Sequence, residues 1–503
     1  MKTNFKLIFL FIMAITVSCS DYLDINDDPN NPSAADVSPD LMLAGALTSS
    51  YSTQARRMNI LGNVMMNNWG ANVNSFTGGF SEEFTLAIDN NFYSDIFDNL
   101  YLTTANFQSI IDDARPGYSN HKAIAKIMKV HYFQYLVDLY GDIPYTEAHL
   151  GIENLTPAYD DDAVIYKDFI VQLDAAIEMI NNAPADTFAV GGEDVVNGGI
   201  MSSWVIYANT LKLRILLRQS TKAYDNGGDA ELATYLDAEF LKIDGENFLS
   251  SNMAINPGYS NGEAAQQNPF YRLMFATDES TSNSYNFYRG SKYAVDYLSG
   301  MEPGSVSDPR RDFIYEETDN NGWVGHEQGA DGDNSPSELS AIGSGLVIKS
   351  AQDGYIMTNA ESQFLQAEAR LRGKISGAAY DAWFSGLQAS FSFYGMNDVI
   401  ATGYDPSTSS SLFLGFAGNT FEQDLEVIMR HKWIALNGIN AIESYIEFTR
   451  TGYPSGIPLA LTAQSATRPM RLMYPSSERI SNSANVPPQS SADAFATGPF
   501  WAQ

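Results

Sequence analysis

Aromatic side chains set among amide and guanidinium groups are the residues of this sequence best suited to bind a ligand. They occur in three stretches, NNWGANVNSF, SNSYNFYRGSKY and DNNGWVGHEQG. A flat aromatic face can stack on the apolar face of a sugar ring, while amides and guanidinium groups hydrogen-bond to its hydroxyls. The predicted ligand-contact residues are Trp69, Asn72, Asn74, Tyr285, Tyr288, Arg289 and Trp323. The alternative for each aromatic residue is that it only anchors a long loop to the core.

Recognisable catalytic motifs are absent from the sequence, with one exception. HExxH, GxxxxGK[ST], GxGxxG and CxxC do not occur. The single GxSxG, residues 258–262, follows Asn256 and Pro257 instead of an apolar strand, so it is predicted to be a loop. His326 and Glu327 have no further ligands at a recognisable spacing, so neither a metal nor a cofactor is predicted. A carboxylate pair for glycoside hydrolysis has no sequence signature, which leaves a hydrolase as an alternative.

The only cysteine, Cys19, lies at the border between an apolar run and a polar stretch. Lys2 and Lys6 precede the apolar residues 7–17, which have the length of a secretory signal and are too few to span a bilayer. The tetrapeptide TVSC that ends this run resembles a bacterial lipobox. The sequence therefore predicts a signal peptide over residues 1–18, whose removal leaves Cys19 diacylated as a lasting membrane anchor.

Residues 19–38 are predicted to be an acidic tether rich in proline and asparagine. Asp24–Asp28 alternates oxygen ligands as a calcium loop does, but it lacks the turn glycine and distal glutamate of an EF-hand, which favours a solvated tether. The formal net charge of −31 argues against binding DNA or RNA and against electrostatic adsorption to an anionic membrane. Attachment to the membrane must then come from the lipid on Cys19.

The predicted fold class is mainly α, a tetratricopeptide-like scaffold of helix pairs that carries long loop insertions. Its clearest helix starts with Asn120 as N-cap and ends at Gly141 and Pro144. His131 lies on the apolar stripe of this helix and is predicted to be a packed, hydrogen-bonded side chain instead of a ligand.

A second clear helix begins with a capping box formed by Thr358 and Glu361 and stops at Gly373. Further helices are predicted over residues 89–113, 163–181, 202–220, 378–394 and 421–450. These elements are predicted to form one domain over residues 39–503. Between about 245 and 350 the helical periodicity disappears, so this part is predicted to be a loop-rich insertion, and loops of that length are usually functional.

Four stretches resemble the SusD/RagB-type outer-membrane lipoproteins. ESQFLQAEARLRG (361–373) resembles the family's AEA-R helix, and VIMRHKWIALNGINAIESYIEFTRTGYP (427–454) resembles its C-terminal helix pair. RLMYPSSERISNSANV (471–486) resembles the segment that follows, and YFQYLVDLYGDIPYTEA (132–148) resembles the helix that ends in Leu-Tyr-Gly-Asp-Ile-Pro-Tyr. With the leader and DPNNP, the resemblance spans nearly the whole chain in the expected order.

This resemblance implies a helical lipoprotein of the outer membrane that faces the cell exterior as a lid over a SusC-type TonB-dependent transporter. Such proteins capture glycans, or in some branches peptides, and pass them inward without covalent chemistry. The matching motifs belong to the scaffold, so they transfer no ligand-contact residue. The alternatives are an oligopeptide-binding lipoprotein of the same architecture, a lipid-anchored glycoside hydrolase, and a lipoprotein that binds only a protein partner.

Overall fold

A computed structural model gives the fold of the chain. It describes residues 37–72, 79–225, 227–332, 334–404 and 420–502. The predicted signal peptide, Cys19, most of the tether, its Asp24–Asp28 stretch and Asn74 lie outside these described residues. Within the described ranges, no helix combines the length and the apolar character needed to cross a bilayer.

Helices form most of the first half of the described chain. They are α1 (Pro39–Thr53), α2 (Asn59–Met65), α3 (Ser81–Thr85), α4 (Ser94–Asp112), α5 (Ser119–Tyr140), α6 (Asp162–Asn181), α7 (Met201–Arg218), α8 (Ser220–Tyr224) and α9 (Ala230–Ile243). A π-helical turn, Gln54–Met58, joins α1 to α2, and a 3-10 turn covers Gly151–Glu153. Helices α4 to α7 each pack on the next, which is the predicted tetratricopeptide-like arrangement of helix pairs.

Residues 245–350 consist of loops and short elements, as the sequence predicts. The helices are α10 (Tyr271–Met274), α11 (Asn283–Phe287), α12 (Lys292–Leu298) and α13 (Arg311–Ile314), with 3-10 turns at Ala264–Gln266 and Pro336–Glu338. The strands of the described chain are β1 (Trp69–Ala71), β2 (Met253–Ile255), β3 (Tyr288–Gly290) and β4 (Gly354–Met357). Strand β1 pairs with β3 and β2 pairs with β4, both antiparallel. The GxSxG serine, Ser260, lies in a loop and donates to Gln266 Oε1 at 3.2 Å.

The last part of the chain is again helical. Its elements are α14 (Asn359–Leu371), α15 (Ala379–Phe393), α16 (Phe421–Leu436), α17 (Ala441–Thr451), α18 (Ser476–Ser481) and α19 (Asp493–Ala496), with 3-10 turns at Ile400–Thr402 and Phe500–Ala502. Helix α14 packs on α15 and α16, and α16 packs on α17. The predicted helical segment 421–450 is divided into α16 and α17 at Gly438, which has a φ of +75°.

Helix α5 agrees with its prediction at one end and differs at the other. It begins at Ser119, so Asn120 lies inside the first turn and the N-cap prediction is wrong. It ends at Tyr140, before Gly141 with a φ of +78°. His131 is fully buried, and its Nδ1 lies 2.6 Å from the Tyr207 hydroxyl. The predicted packed, hydrogen-bonded histidine is confirmed.

Helix α14 has half of its predicted capping box. The Thr358 hydroxyl accepts from the Glu361 N–H at 3.1 Å, and Gly373 ends the helix with a φ of +66°. The Glu361 carboxylate does not return to the N-cap. It is fully buried, with Oε1 3.4 Å from Arg214 Nη1, because a buried guanidinium draws it into the interior.

That contact belongs to a buried group of charges, which we call the ionic core: Arg214, Arg218, Glu361, Glu368, Glu443, Glu447 and Arg450. Arg214 and Arg218 approach Glu443 to 3.0 and 2.7 Å, and Arg450 approaches Glu368 to 2.6 Å. These contacts join α7, α14 and α17. The two stretches that resemble the family's AEA-R helix and C-terminal helix pair thus supply partners to one another inside the scaffold.

Candidate functional site

Two of the three aromatic stretches meet at a two-stranded sheet. Strands β1 and β3 pair so that Trp69 lies opposite Gly290. The third stretch runs beside β3, because the His326 N–H donates to the Gly290 carbonyl at 2.9 Å. The fold therefore collects residues that are distant in the chain into one region, as a ligand site made from loops requires.

Four aromatic rings stack in series at this sheet, and we call them the aromatic floor. Phe80 stacks on Tyr288 with centroids 5.4 Å apart, Tyr288 on Trp69 at 5.3 Å, and Trp69 on Phe270 at 6.1 Å. The Trp69 ring is 0% exposed and the other three are buried. The floor therefore belongs to the interior, and its four rings have almost no surface open to a ligand.

Tyr285, on α11, is a half-buried ring whose centroid lies 5.0 Å from that of Phe275. The Arg289 guanidinium is buried 6.0 Å from the Tyr285 ring centroid and donates to the carbonyl oxygens of Tyr285 at 2.5 Å, Tyr288 at 2.7 Å and Pro336 at 3.2 Å. Burial lowers the pKa of Arg289 to about 10. These bonds use the guanidinium to brace helix α11, which carries Tyr285.

The other predicted residues are more scattered. Trp323 is half-buried, with the Arg311 guanidinium 3.6 Å from its ring centroid, and no ring pair within the described residues joins it to the aromatic floor. Asn72 is buried, and its N–H donates to the Phe287 carbonyl at 2.8 Å. Asn74 lies outside the described residues. Tyr285 and Trp323 are thus the predicted rings with part of their surface open.

Sequence reasoning missed a group of arginines beside the aromatic floor. Arg56 and Arg57 lie on the π-helical turn before α2. The Arg57 guanidinium lies 4.2 Å from the Tyr93 ring centroid and 2.6 Å from Asp95 Oδ2. Burial lowers the pKa of Arg56, and the nearby charges of Arg272 and Arg57 lower it further. The two adjacent arginines in QARRM could have indicated this group, because neighbouring basic residues are unusual in a chain with 29 basic and 60 acidic residues.

The arginine pair has two features of a binding region. The π-helical turn is a conformation that is often found at functional sites. The Arg56 Nε atom is buried and has no hydrogen-bond partner among the described residues. Because Nε is closed to solvent, a ligand oxygen would have to bind the terminal N–H groups of this half-buried guanidinium.

The arrangement is suited to binding, since it combines two half-exposed rings with nearby guanidinium groups and a buried aromatic floor.

One acidic residue in this region, Glu83, allows the hydrolase alternative to be tested. Burial raises the pKa of Glu83, whose Oε1 accepts from the Tyr93 hydroxyl at 2.9 Å. A carboxyl group with a raised pKa is what a general acid in glycoside hydrolysis needs.

The sequence matches a SusD-like family model, described as "Starch-binding associating with outer membrane", over residues 29–475. No curated protein matches the sequence.

Several solved structures are similar to this fold. One is a chitin-binding SusD homologue from Flavobacterium johnsoniae, with a TM-score of 0.73 and 22% identity, covering 92% of this chain and 98% of the other. A chitin-binding protein gives a TM-score of 0.68 and 24% identity over 92% of this chain and 99% of its own. A SusD-like protein from Bacteroides thetaiotaomicron gives 0.71 and 21% over 91% and 96%. At these identities, the likeness establishes the fold alone.

Proposed function

The chain belongs to the SusD-like family, and on that premise we propose that it is a cell-surface lipoprotein that captures oligosaccharides and delivers them to a SusC-type TonB-dependent transporter without cleaving them. The observation that carries glycan capture is the meeting of aromatic rings and arginines at β1 and β3. The family's association with starch and the outer membrane supports the same function, as does the chitin-binding description of two similar structures.

In this proposal Tyr285 and Trp323 stack on sugar rings, since they are the predicted rings with open surface. Arg289 and Asn72 donate to the carbonyl oxygens of Tyr285 and Phe287, and Trp69 and Tyr288 pack in the buried floor. Trp323 is held separately, against the guanidinium of Arg311. Arg56 adds donors for ring hydroxyls or for the carbonyl of an N-acetyl group. Asn74 follows Trp69 by five positions in the sequence and is proposed as a further ligand contact.

The membrane arrangement is part of the proposal. Cys19 carries the lipid, residues 19–38 form the tether, and residues 39–503 form the binding domain. Replacement of Cys19 by serine should abolish incorporation of labelled palmitate and release the protein from the outer-membrane fraction. Copurification of the lipidated protein with a SusC-type transporter tests delivery, and a lipidated protein that never associates with such a transporter would contradict it.

A binding screen of the chain starting at Ser20 tests glycan capture. Starch, chitin and other plant, host and microbial glycans are compared with peptide pools, and hydrolysis products are followed in the same samples. We expect saturable binding of at least one glycan class, with the glycan recovered intact.

The other outcomes separate the alternatives. Cleavage that is lost in Glu83→Gln with binding retained would make the protein a hydrolase. Binding of peptides alone would retain the architecture and replace the ligand class. No binding to any glycan or peptide, together with copurification of a membrane protein, would favour a protein-binding role.

A further inference from the structure

A cavity of about 490 Å³ lies away from the aromatic floor and shares none of its residues. Its walls come from α4, α5 and α6 and from the loop of residues 141–161 between α5 and α6. A volume of this size is within the range of small-molecule sites, at roughly 300–1,000 Å³. Nothing in the proposed glycan capture uses it.

Two lysines on one face of α5, Lys126 and Lys129, line this cavity. Each donates a hydrogen bond to an amide oxygen, Lys126 to Gln172 at 2.8 Å and Lys129 to Gln108 at 2.5 Å. Within the described residues, neither ammonium forms an ion pair, although the charges of Asp112 and Asp168 act on both lysines and partly offset the lowering of their pKa by burial. An ammonium has three N–H donors, so both lysines have donors left for a ligand. Burial lowers the pKa of Lys129 to about 8, so it is charged at neutral pH.

The nearby carboxylates are bound by other groups. Asp160 accepts from the N–H of Tyr145 at 2.9 Å and of Thr146 at 2.8 Å. Asp168 accepts from the Tyr145 hydroxyl at 2.6 Å, and Asp112 accepts from the Gln108 amide at 2.8 Å. These acids accept hydrogen bonds from neutral donors, and Asp112 and Asp168 act on the two ammonium groups through space without forming a direct bond to them.

The remaining wall is apolar and aromatic. Ile111, Val130, Leu150 and Val164 contribute aliphatic surface. His149 lies beside them with a φ of +66°, a strained conformation that persists only where its surroundings enforce it. Burial, with the charge of Lys129, lowers the pKa of His149 to about 4, so the imidazole is neutral at pH 7.

We propose that this cavity binds a small organic carboxylate, with the carboxylate on Lys126 and Lys129 and an apolar body against the aliphatic wall. A ligand carboxylate supplies a directly bonded anion, which neither ammonium has in the structure, and charge-assisted hydrogen bonds are the stronger kind. The ligand that carries this carboxylate is either an aliphatic acid or an acidic sugar, and the experiment below distinguishes the two.

Calorimetric titration of the mature chain with hexanoate and with glucuronate tests the proposal, with hexanol and glucose as the neutral counterparts. We expect at least one acid to bind tenfold or more tightly than its counterpart. Lys126→Met and Lys129→Met should each remove that preference, whereas Lys129→Arg should restore part of it. The matched control is Lys167→Met, which removes a charge from the exposed face of α6 outside the cavity and should leave the preference unchanged.

A cooperative thermal unfolding transition shows that each variant is folded. Lys129→Met should keep the unfolding temperature of the wild type, because it replaces a buried charge by an apolar side chain. Binding of hexanoate alone identifies an aliphatic acid, and binding of glucuronate alone identifies an acidic sugar. The proposal is overturned if neither acid binds, if each acid binds no better than its neutral counterpart, or if Lys129→Met keeps the full preference. Glycan binding at the aromatic region is measured separately, so failure here leaves that function standing.

Discussion

The two tryptophans of the candidate site have opposite surroundings. Trp69 is enclosed by Tyr288 and Phe270, whereas Trp323 is half-buried under the guanidinium of Arg311. The sequence could place both residues in ligand-binding stretches, but it could not distinguish them. Burial of Trp69 depends on the pairing of β1 with β3, a contact between distant parts of the chain that no local pattern encodes.

Trp323→Ala should weaken glycan binding about tenfold, since one aromatic contact contributes roughly 0.5–1.5 kcal/mol beyond its buried area. The free energy of unfolding should fall by less than the roughly 3–5 kcal/mol typical of a fully buried ring, because part of the Trp323 ring already faces solvent. Calorimetry with the preferred glycan measures the first quantity and urea unfolding the second. Phe188→Ala, which removes an exposed ring elsewhere, is the control. Equal affinities of Trp323→Ala and the wild type would remove Trp323 from the site.

At the scale of elements, close packing between helices explains a glycine that the sequence does not mark. Gly62 on α2 faces the start of α17, where an added Cβ would lie 2.2 Å from the Ala441 carbonyl carbon. Two asparagines of the same helix bind the turn before α17: Asn59 donates to the Gly438 carbonyl at 2.9 Å, and Asn63 accepts from the Gly438 N–H at 3.0 Å. Helical periodicity predicts where helices form, but it cannot predict which faces come this close.

Gly62→Ala should lower the free energy of unfolding by about 1–3 kcal/mol, because overpacking outweighs the gain in helix propensity. Gly45→Ala is the matched control on α1, where nothing lies within 4 Å of the added Cβ. That change should raise the free energy of unfolding by roughly 0.5–1 kcal/mol. Urea unfolding measures both. Stabilisation by both substitutions would show that α2 and α17 are not in contact.

The ionic core is the second test at this scale. Arg450→Met leaves Glu368 and Glu447 buried without that partner, and breaking a buried pair typically costs about 3–5 kcal/mol. Lys292→Met removes the exposed lysine of a surface pair with the half-buried Asp296 and should cost less than about 1 kcal/mol. Equal effects of the two substitutions on urea unfolding would mean that the ionic core does not hold the helices together.

The sequence identifies these helices as part of the scaffold, but it does not predict that their charged residues form buried ion pairs. Glu361 was predicted to cap its own helix, and it is instead drawn to Arg214. Amphipathic patterning identifies an inward face by its apolar residues. A charged residue on that face is predicted to be exposed or capping unless its buried partner, here from α7, is known.

For the whole molecule, the buried acids predict a stability maximum near pH 5. Burial raises the pKa of Asp138 and Asp162 to about 6, so the folded chain binds protons there that the unfolded chain does not, and stability rises as the pH falls from 7 towards 5. Burial acts to raise the pKa of Glu368 and Glu443, but arginines outweigh it and lower both, so their stabilisation is lost as the pH falls below about 4.

Urea unfolding between pH 3 and 8 measures this profile. Asp162→Asn keeps an acceptor for the Phe500 N–H and should flatten the slope between pH 5 and 7. A free energy of unfolding that rises steadily from pH 5 to pH 8 in the wild type would contradict the assignment of these buried acids.

Hydrogen–deuterium exchange with and without a saturating glycan tests the central claim most directly. We predict slower exchange over residues 283–292 and 322–328, where Tyr285, Arg289 and Trp323 lie, and unchanged exchange over residues 141–156 beside the separate cavity. Slower exchange confined to 141–156, or unchanged exchange throughout despite saturation, would contradict glycan capture at Tyr285 and Trp323.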